Sequence, residues 1–411
     1  MLSSQIIAEP VPFVESPRGA REAARDTLLL LTERKRLRDC GREPFGAMGC
    51  EAGSVGVRVT ETEAGRSVGF SGLETCGSVW TCPVCSAKIA QGRQTEIAGA
   101  LGEWVKRGGS VWMLTLTMRH YRGQALADLW EGLTEAWKAA RSGRAYRKAA
   151  AEYGTLTDRV VKSGKDQGKV LSEWRMPFIR VVEVTHGSAF GWHVHIHALM
   201  LLRGGVDDVG AAEVLDVMRS GWGTKLAALG LGSVVDDGQD IRPMRESSEH
   251  GIADYVTKAL FGGLAAEVAR GDLKRARGGN LTPFQLLGRI HVDVSAGRPI
   301  APKDRAIWEE WEVGSWGRRQ VQWSLGLRDL LALEVELTDE ELAALEMQGE
   351  TVAWIEPRDW RAIVQSGGRL VVLAAFTRSD AEGLAVLEAV RAFGPRAFFR
   401  GSDGCACRLV S

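Results

Sequence analysis

Apolar and polar residues alternate over 111–118 and 191–202, which predicts strands there, and the largely apolar stretch 178–185 predicts another between them. Over 191–202, successive side chains point to opposite faces. Val194, Ile196, Ala198 and Met200 therefore share one side and His193, His195 and His197 the other. So apolar a reverse face, followed by Leu199, Leu201 and Leu202, predicts a central strand covered by helices on at least one side. Between the strands the period changes to that of a helix. Leu126, Leu129, Trp130, Leu133 and Trp137 recur at helical spacing within a helix expected over 124–153, and further helices are expected over 87–106, 207–229 and 249–260. A polar interruption is expected at 163–169 and a short extended piece at 241–244.

The succession strand, helix, strand, strand, helix, strand predicts an α+β fold. Its centre is an antiparallel sheet of the split βαβ type (βαββαβ, ferredoxin- or RRM-like), with the second and third strands side by side. The tail predicts a small α/β accessory domain: strand 351–355, helix 358–365, strand 369–376, helix 380–393 and a strand from 396 onward. The expected division is an N-terminal arm over 1–35, a cysteine-bearing module and helix over 36–106, the sheet domain over 107–265, an extension over 266–330 and the accessory domain over 331–411.

A chain of 411 residues, 45% hydrophobic and 25% charged, has material for several packed domains, and no apolar run approaches the length that spans a bilayer. Residues 1–17 lack a basic start followed by an apolar core, so a cytoplasmic protein with no membrane partner is expected. The zero net charge hides an asymmetry. Residues 1–330 carry 44 Lys+Arg against 39 Asp+Glu, and residues 331–411 carry 8 against 13. Basic clusters that include Arg141, Arg144 and Lys148, Lys274 and Arg275, and Arg318 and Arg319 are ordinary solvated surface if taken singly; together they are candidates for a nucleic-acid phosphate track.

Cys82 and Cys85 form a Cys-x2-Cys pair with Cys76 six positions upstream, the spacing at which thiolates occupy corners of a tetrahedral Zn2+ site. Cys40 is the expected fourth ligand and Cys50 the alternative; a redox pair is the competing reading. Cys405 and Cys407 are expected to be ordinary thiols. Glu183 is an acid within an apolar strand, and a buried carboxylate needs solvent, an arginine or a cation. Beside His195 and His197 it would complete a two-histidine, one-carboxylate metal set, with His193 a further candidate. A plain salt bridge and locally hydrogen-bonded histidines are the alternatives. On the helix expected over 249–260, Tyr255 and Lys258 are three apart and share a side, so the ammonium can favour the phenolate.

These segments together resemble the rolling-circle replication initiators of plasmids, within the superfamily of His-hydrophobe-His (HUH) endonucleases that use a tyrosine nucleophile. The resemblance rests on Leu114-Thr115-Leu116-Thr117, on Gly191-Trp192-His193 through His195-Ile196-His197, and on Tyr255-Val256-Thr257-Lys258. Cys76 to Cys85, 282–287 and 317–327 reinforce it, so it covers roughly residues 36 to 330. It implies a nick in one DNA strand at a plasmid origin, single-stranded at the cut. His195, His197 and Glu183 would hold Mg2+ or Mn2+, Tyr255 would form a 5′-phosphotyrosine ester, and the free 3′-hydroxyl would prime synthesis by host helicase and polymerase. Where members of the family carry a glutamate one turn before the tyrosine, this chain has Gly251; Glu249 and Asp254 are the nearby acids, and the general base stays unassigned. A transposase or mobilisation relaxase would use the same chemistry, and a non-catalytic zinc-containing DNA-binding regulator is the alternative from a different class.

Overall fold

The computed structural model describes residues 17–45, 53–62, 65–161, 163–232, 234, 238–244, 280–346 and 348–393. In chain order its elements are α1 (Pro17–Leu28), α2 (Lys35–Asp39), β1 (Val55–Thr62), β2 (Gly65–Ser71), α3 (Pro83–Lys106), β3 (Ser110–Thr117), α4 (Leu126–Ala140) and α5 (Gly143–Tyr153). Next come β4 (Thr155–Val160), β5 (Val170–Arg175), β6 (Phe178–Gly187), β7 (Gly191–Leu202), α6 (Asp208–Ala228) and β8 (Gln239–Pro243). The remainder is α7 (Pro283–Ser295), α8 (Pro302–Ser315), β9 (Val321–Trp323), α9 (Leu327–Leu330), α10 (Asp339–Ala344), β10 (Glu350–Ile355), α11 (Pro357–Gln365), α12 (Arg369–Arg378) and α13 (Asp380–Phe393). The architecture is mixed α+β with antiparallel sheets.

The main sheet has five strands in the order β8-β3-β7-β6-β9, and every neighbouring pair is antiparallel. β3 and β6 therefore run parallel to each other with β7 between them. The alternation in β7 decides what each face meets. Trp192, Val194, Ile196, Ala198, Met200 and Leu202 are buried in a core shared with Leu129, Trp130, Leu133 and Trp137 of α4 and Val214, Met218 and Trp222 of α6. On the other face Leu199 and Leu201 pack against Ile97, Leu101 and Trp104 of α3, which lie on one side of that helix at spacings of four and three. The histidine end of this second face lies beyond that apolar cluster, with the imidazoles only partly covered.

A second sheet, β10-β1-β2, joins segments about 300 positions apart: Val55 pairs with Ile355 and Val57 with Ala353. Val55, Val57, Val59 and Val68 share a core with Trp360, Ile363, Val372, Phe376 and Leu387, so the C-terminal helices are packed on the N-terminal strands. Arg369, 1% exposed, reaches Glu22 at 2.7 Å and Asp26 at 2.6 Å on α1, which makes that helix part of the fold.

Three local expectations are corrected. The helix expected over 124–153 is two helices, because Arg141 and Ser142 break the ladder and Gly143 takes φ +85°, a conformation that glycine adopts without a Cβ penalty. The polar stretch 163–169 connects a hairpin, β4 paired with β5 from Thr155↔Arg175 to Val160↔Val170. Residues 369–376, expected as a strand, form α12 instead; Val372 through Phe376 are buried on consecutive positions, and a short apolar run buried all round carries no period to tell helix from strand. The helix expected over 249–260 and the strand from 396 onward lie outside the described residues.

Candidate metal centres

Three strands bring the first site together. Across the sheet, Thr117 of β3, His195 of β7 and Glu183 of β6 stand on one rung, and Thr115, His197 and Val181 on the next. Glu183 and the two imidazoles therefore emerge on the same face without any backbone distortion. The Glu183 Oε2 is 3.2 Å from His195 Nε2 and 3.4 Å from His197 Nε2, and the two Nε2 atoms are 3.2 Å apart. Donor atoms held about 2.1 Å from one ion stand about 3.0 to 3.4 Å apart in octahedral or tetrahedral geometry, so the triangle fits a single divalent cation. Burial pushes the Glu183 carboxyl up, but hydrogen bonds and charge from His195 and His197 outweigh it and hold the group below the usual carboxylate range.

Orientation comes from the neighbouring strand. The His197 Nδ1 lies 3.1 Å from Thr115 Oγ1; with Nε2 presented to a cation, Nδ1 carries the proton and donates to that hydroxyl, which fixes the tautomer and the ring plane. The side chains of His195, His197 and Glu183 are 12%, 17% and 40% exposed, so the carboxylate marks the open side where a substrate oxygen can approach. His193 stands outside the triangle, its ring stacked on His120 at 4.7 Å and 13°, and burial pushes it down to about 4.

The second site is built at the start of α3. Cys82 caps the helix, its Sγ accepting from the Cys85 backbone N–H, and Pro83 occupies the first turn where a missing donor costs nothing. Cys40, just after α2, lies 3.5 Å from Cys85 and 3.8 Å from Cys82, and Cys76 lies 3.6 Å from Cys85, sulfur to sulfur. All four are buried. Sulfurs about 2.3 Å from a tetrahedral zinc ion are about 3.8 Å apart, the spacing seen here. The bare thiols cannot all ionise. Hydrogen bonds from its neighbours pull Cys40 well below the usual thiol range, while the same crowding pushes Cys76 and Cys82 well above it, a conflict that a dication would relieve.

Of the other sequence candidates, Arg141 and Arg318 lie partly buried against aromatic rings, and Arg144, Lys148 and Arg319 are exposed. Tyr255, Lys258, Lys274, Arg275 and Cys50 lie outside the described residues. Two features escaped the sequence reading. Thr115 was legible only as a motif residue, since its role depends on standing opposite His197. Arg180, 7% exposed inside β6, gave no signal in a strand otherwise read as apolar.

No family model matches the chain, and no solved structure matches it. Among curated proteins, the Rep protein of Streptomyces lividans is 36% identical over 312 residues, 68% of this chain and 68% of that protein. A neomycin resistance protein of Streptomyces cyanogenus is 34% identical over 157 residues, 36% of this chain and 35% of that one. The longer match runs through two thirds of both partners, and on it the chain belongs to the Rep family of plasmid replication proteins.

Proposed function

We propose that this protein starts rolling-circle replication by nicking one strand at a plasmid origin. The observation that carries the reading is the Glu183, His195 and His197 triangle, three ligand atoms within 3.4 Å of one another on adjoining strands. The Rep relative supports the task, and the strand order β8-β3-β7-β6, with one antiparallel strand inserted between two parallel ones, supports a split βαβ sheet of HUH type.

A divalent ion held there, Mg2+ or Mn2+, would polarise a phosphoryl oxygen as a Lewis acid. The chain supplies the rest. Glu183, His195 and His197 would hold that ion on rigid strands and so fix the place where a scissile phosphate can bind, and Tyr255, carried over from the resemblance, attacks phosphorus through its phenolic oxygen with Lys258 favouring the phenolate. The bond from phosphorus to the 3′-oxygen breaks, that oxygen takes a proton from water and leaves as the 3′-hydroxyl, and the 5′ side remains as a phosphotyrosine ester. The ester conserves the bond for rejoining. The four-cysteine cluster would hold Zn2+ and tie α2 and residues 76–82 to the start of α3.

The test uses supercoiled plasmid bearing the gene's own origin, incubated with the full chain and Mn2+. Conversion to the open circular form should require the ion and fall at least a hundredfold in His197→Ala. Equal nicking by that variant, or undiminished nicking in excess chelator, would refute the assignment.

A further inference from the structure

A divalent ion bound by four thiolates carries a net double negative charge, and all four sulfurs are buried. A charge that deep needs a partner of opposite sign. Arg25 of α1 stands beside it. The residue is 5% exposed, and its guanidinium lies against the backbone at Gly41, the residue after Cys40. A Cβ at Gly41, whose φ is +64°, would come within 2.1 Å of Arg25 Nη1, so any side chain there would displace the guanidinium. Arg25, Cys40 and Cys85 line one cavity of about 750 Å3, and Arg25 Nε has no hydrogen-bond partner among the described residues. Burial works against the charge on Arg25, but Glu22, Cys40 and Cys82 outweigh it and raise the group above its ordinary value. Lys88, three residues after Cys85, already donates to the carbonyls of Ala343 and Leu345, at 3.0 and 3.1 Å.

Arg25 is also the end of a run of alternating charges. Its one ion pair among the described residues is with Glu22, three positions back on α1. The same Glu22 oxygen, Oε2, accepts from Arg369 of α12 at 2.7 Å, and Arg369 reaches Asp26 at 2.6 Å. The side chains of Arg25, Glu22 and Arg369 are 6%, 7% and 2% exposed, so salt and water screen these contacts little. Glu22 thus divides its charge between a cation beside the cysteines and a cation that fixes α12. With the centre loaded, the thiolates satisfy Arg25 and leave Glu22 freer to hold Arg369. With the centre empty and its thiols protonated, Arg25 draws Glu22 to itself.

We propose that Arg25 is the outer counter-charge of the metal–thiolate centre and that, through Glu22 and Arg369, filling the centre tightens the docking of α12 on α1. The inference rests on the reading of the four cysteines as a zinc site and adds to it a residue and a consequence. Coupling of this kind is reciprocal, so a docked α12 in turn strengthens metal binding.

The experiment uses the full chain. Co2+ in place of zinc reports the centre by its tetrahedral thiolate absorption, and competition with a chromophoric chelator gives the affinities of both ions. Arg25→Met leaves Glu22 paired with Arg369, so it strands no acid, and it should weaken both ions at least tenfold. Arg25→Lys, which keeps the charge, should recover part of that loss, and Lys106→Gln, an exposed charge at the end of α3, should change nothing. Hydrogen exchange reads the coupling. Stripping zinc from the wild-type chain should speed amide exchange over the buried residues 372–376 of α12 about fivefold or more and leave 196–200 of β7 within about twofold. In Arg25→Met the same stripping should speed exchange over 372–376 by less than about twofold. Wild-type metal affinity in Arg25→Met would overturn the proposal. So would an equal rise over α12 and β7, or a rise over α12 that survives in Arg25→Met. A wild-type chain without the Co2+ absorption would sink the zinc reading itself and this inference with it; the absorption present, with Arg25→Met matching wild type, would sink this inference alone.

Discussion

At the scale of single residues, the cost of placing a charge decides what Glu183 and Thr115 can be doing. Glu183 would burden an apolar strand, but two imidazoles meet it on the adjoining one, and the three form a ligand set. Glu183→Gln keeps the size and removes the charge, so Mn2+ binding measured by calorimetry should weaken at least tenfold; unchanged affinity would show that the carboxylate is no ligand. Thr115→Val should weaken the same binding by roughly tenfold through loss of the hydrogen bond that orients His197. An unaffected value would reduce that contact to packing. The histidines were legible because alternation alone assigns a face. The partners were not, since which residue stands across a ladder depends on register, and only the short 187–191 turn between β6 and β7 hinted that Glu183 would meet His195.

Elements were legible where their period was clean. β3 and β7 follow from alternation and α4 from apolar residues at helical spacing, whereas α3, expected from Ala87, starts one turn earlier at Pro83 behind its Cys82 cap. α12 was misread because its buried run offers no period. The β4–β5 hairpin was missed because its apolar and polar residues do not alternate: Val170 and Leu171 stand exposed side by side, followed by Ser172 and Glu173. The cysteine cluster joins three elements: α2, the 76–82 segment and α3 meet at the four sulfurs. Cys82→Ala removes one ligand, and zinc measured by mass spectrometry of the purified protein should fall from about one ion per chain to well below half. Full zinc content in that variant would place the ion elsewhere.

For the whole molecule, pairing between β1 and β10 leaves no local trace, because nothing in either segment announces a partner so far along the chain. The same closure ties the acidic tail to the basic N-terminal part through Arg369 and the Trp360 core. Trp360 is fully buried, its ring 4.7 Å from Phe70 and its Nε1 donating to the Arg42 carbonyl at 2.6 Å. Trp360→Ala should cost about 3 to 5 kcal/mol in urea unfolding. A loss under about 1 kcal/mol would mean that the C-terminal helices contribute little to holding the N-terminal strands.

A cation site on β6 and β7 that serves a nucleophile at Tyr255 leaves a covalent bond on that residue, and the bond is the thing to look for. Incubate the full chain with single-stranded origin oligonucleotide and Mn2+, digest the adduct with protease and nuclease, and sequence the nucleotide-bearing peptide by mass spectrometry. One modified residue is expected, Tyr255, with the adduct absent from Tyr255→Phe and from the wild-type chain in excess chelator. A modification on any other residue, or an equal adduct yield from Tyr255→Phe, would contradict it.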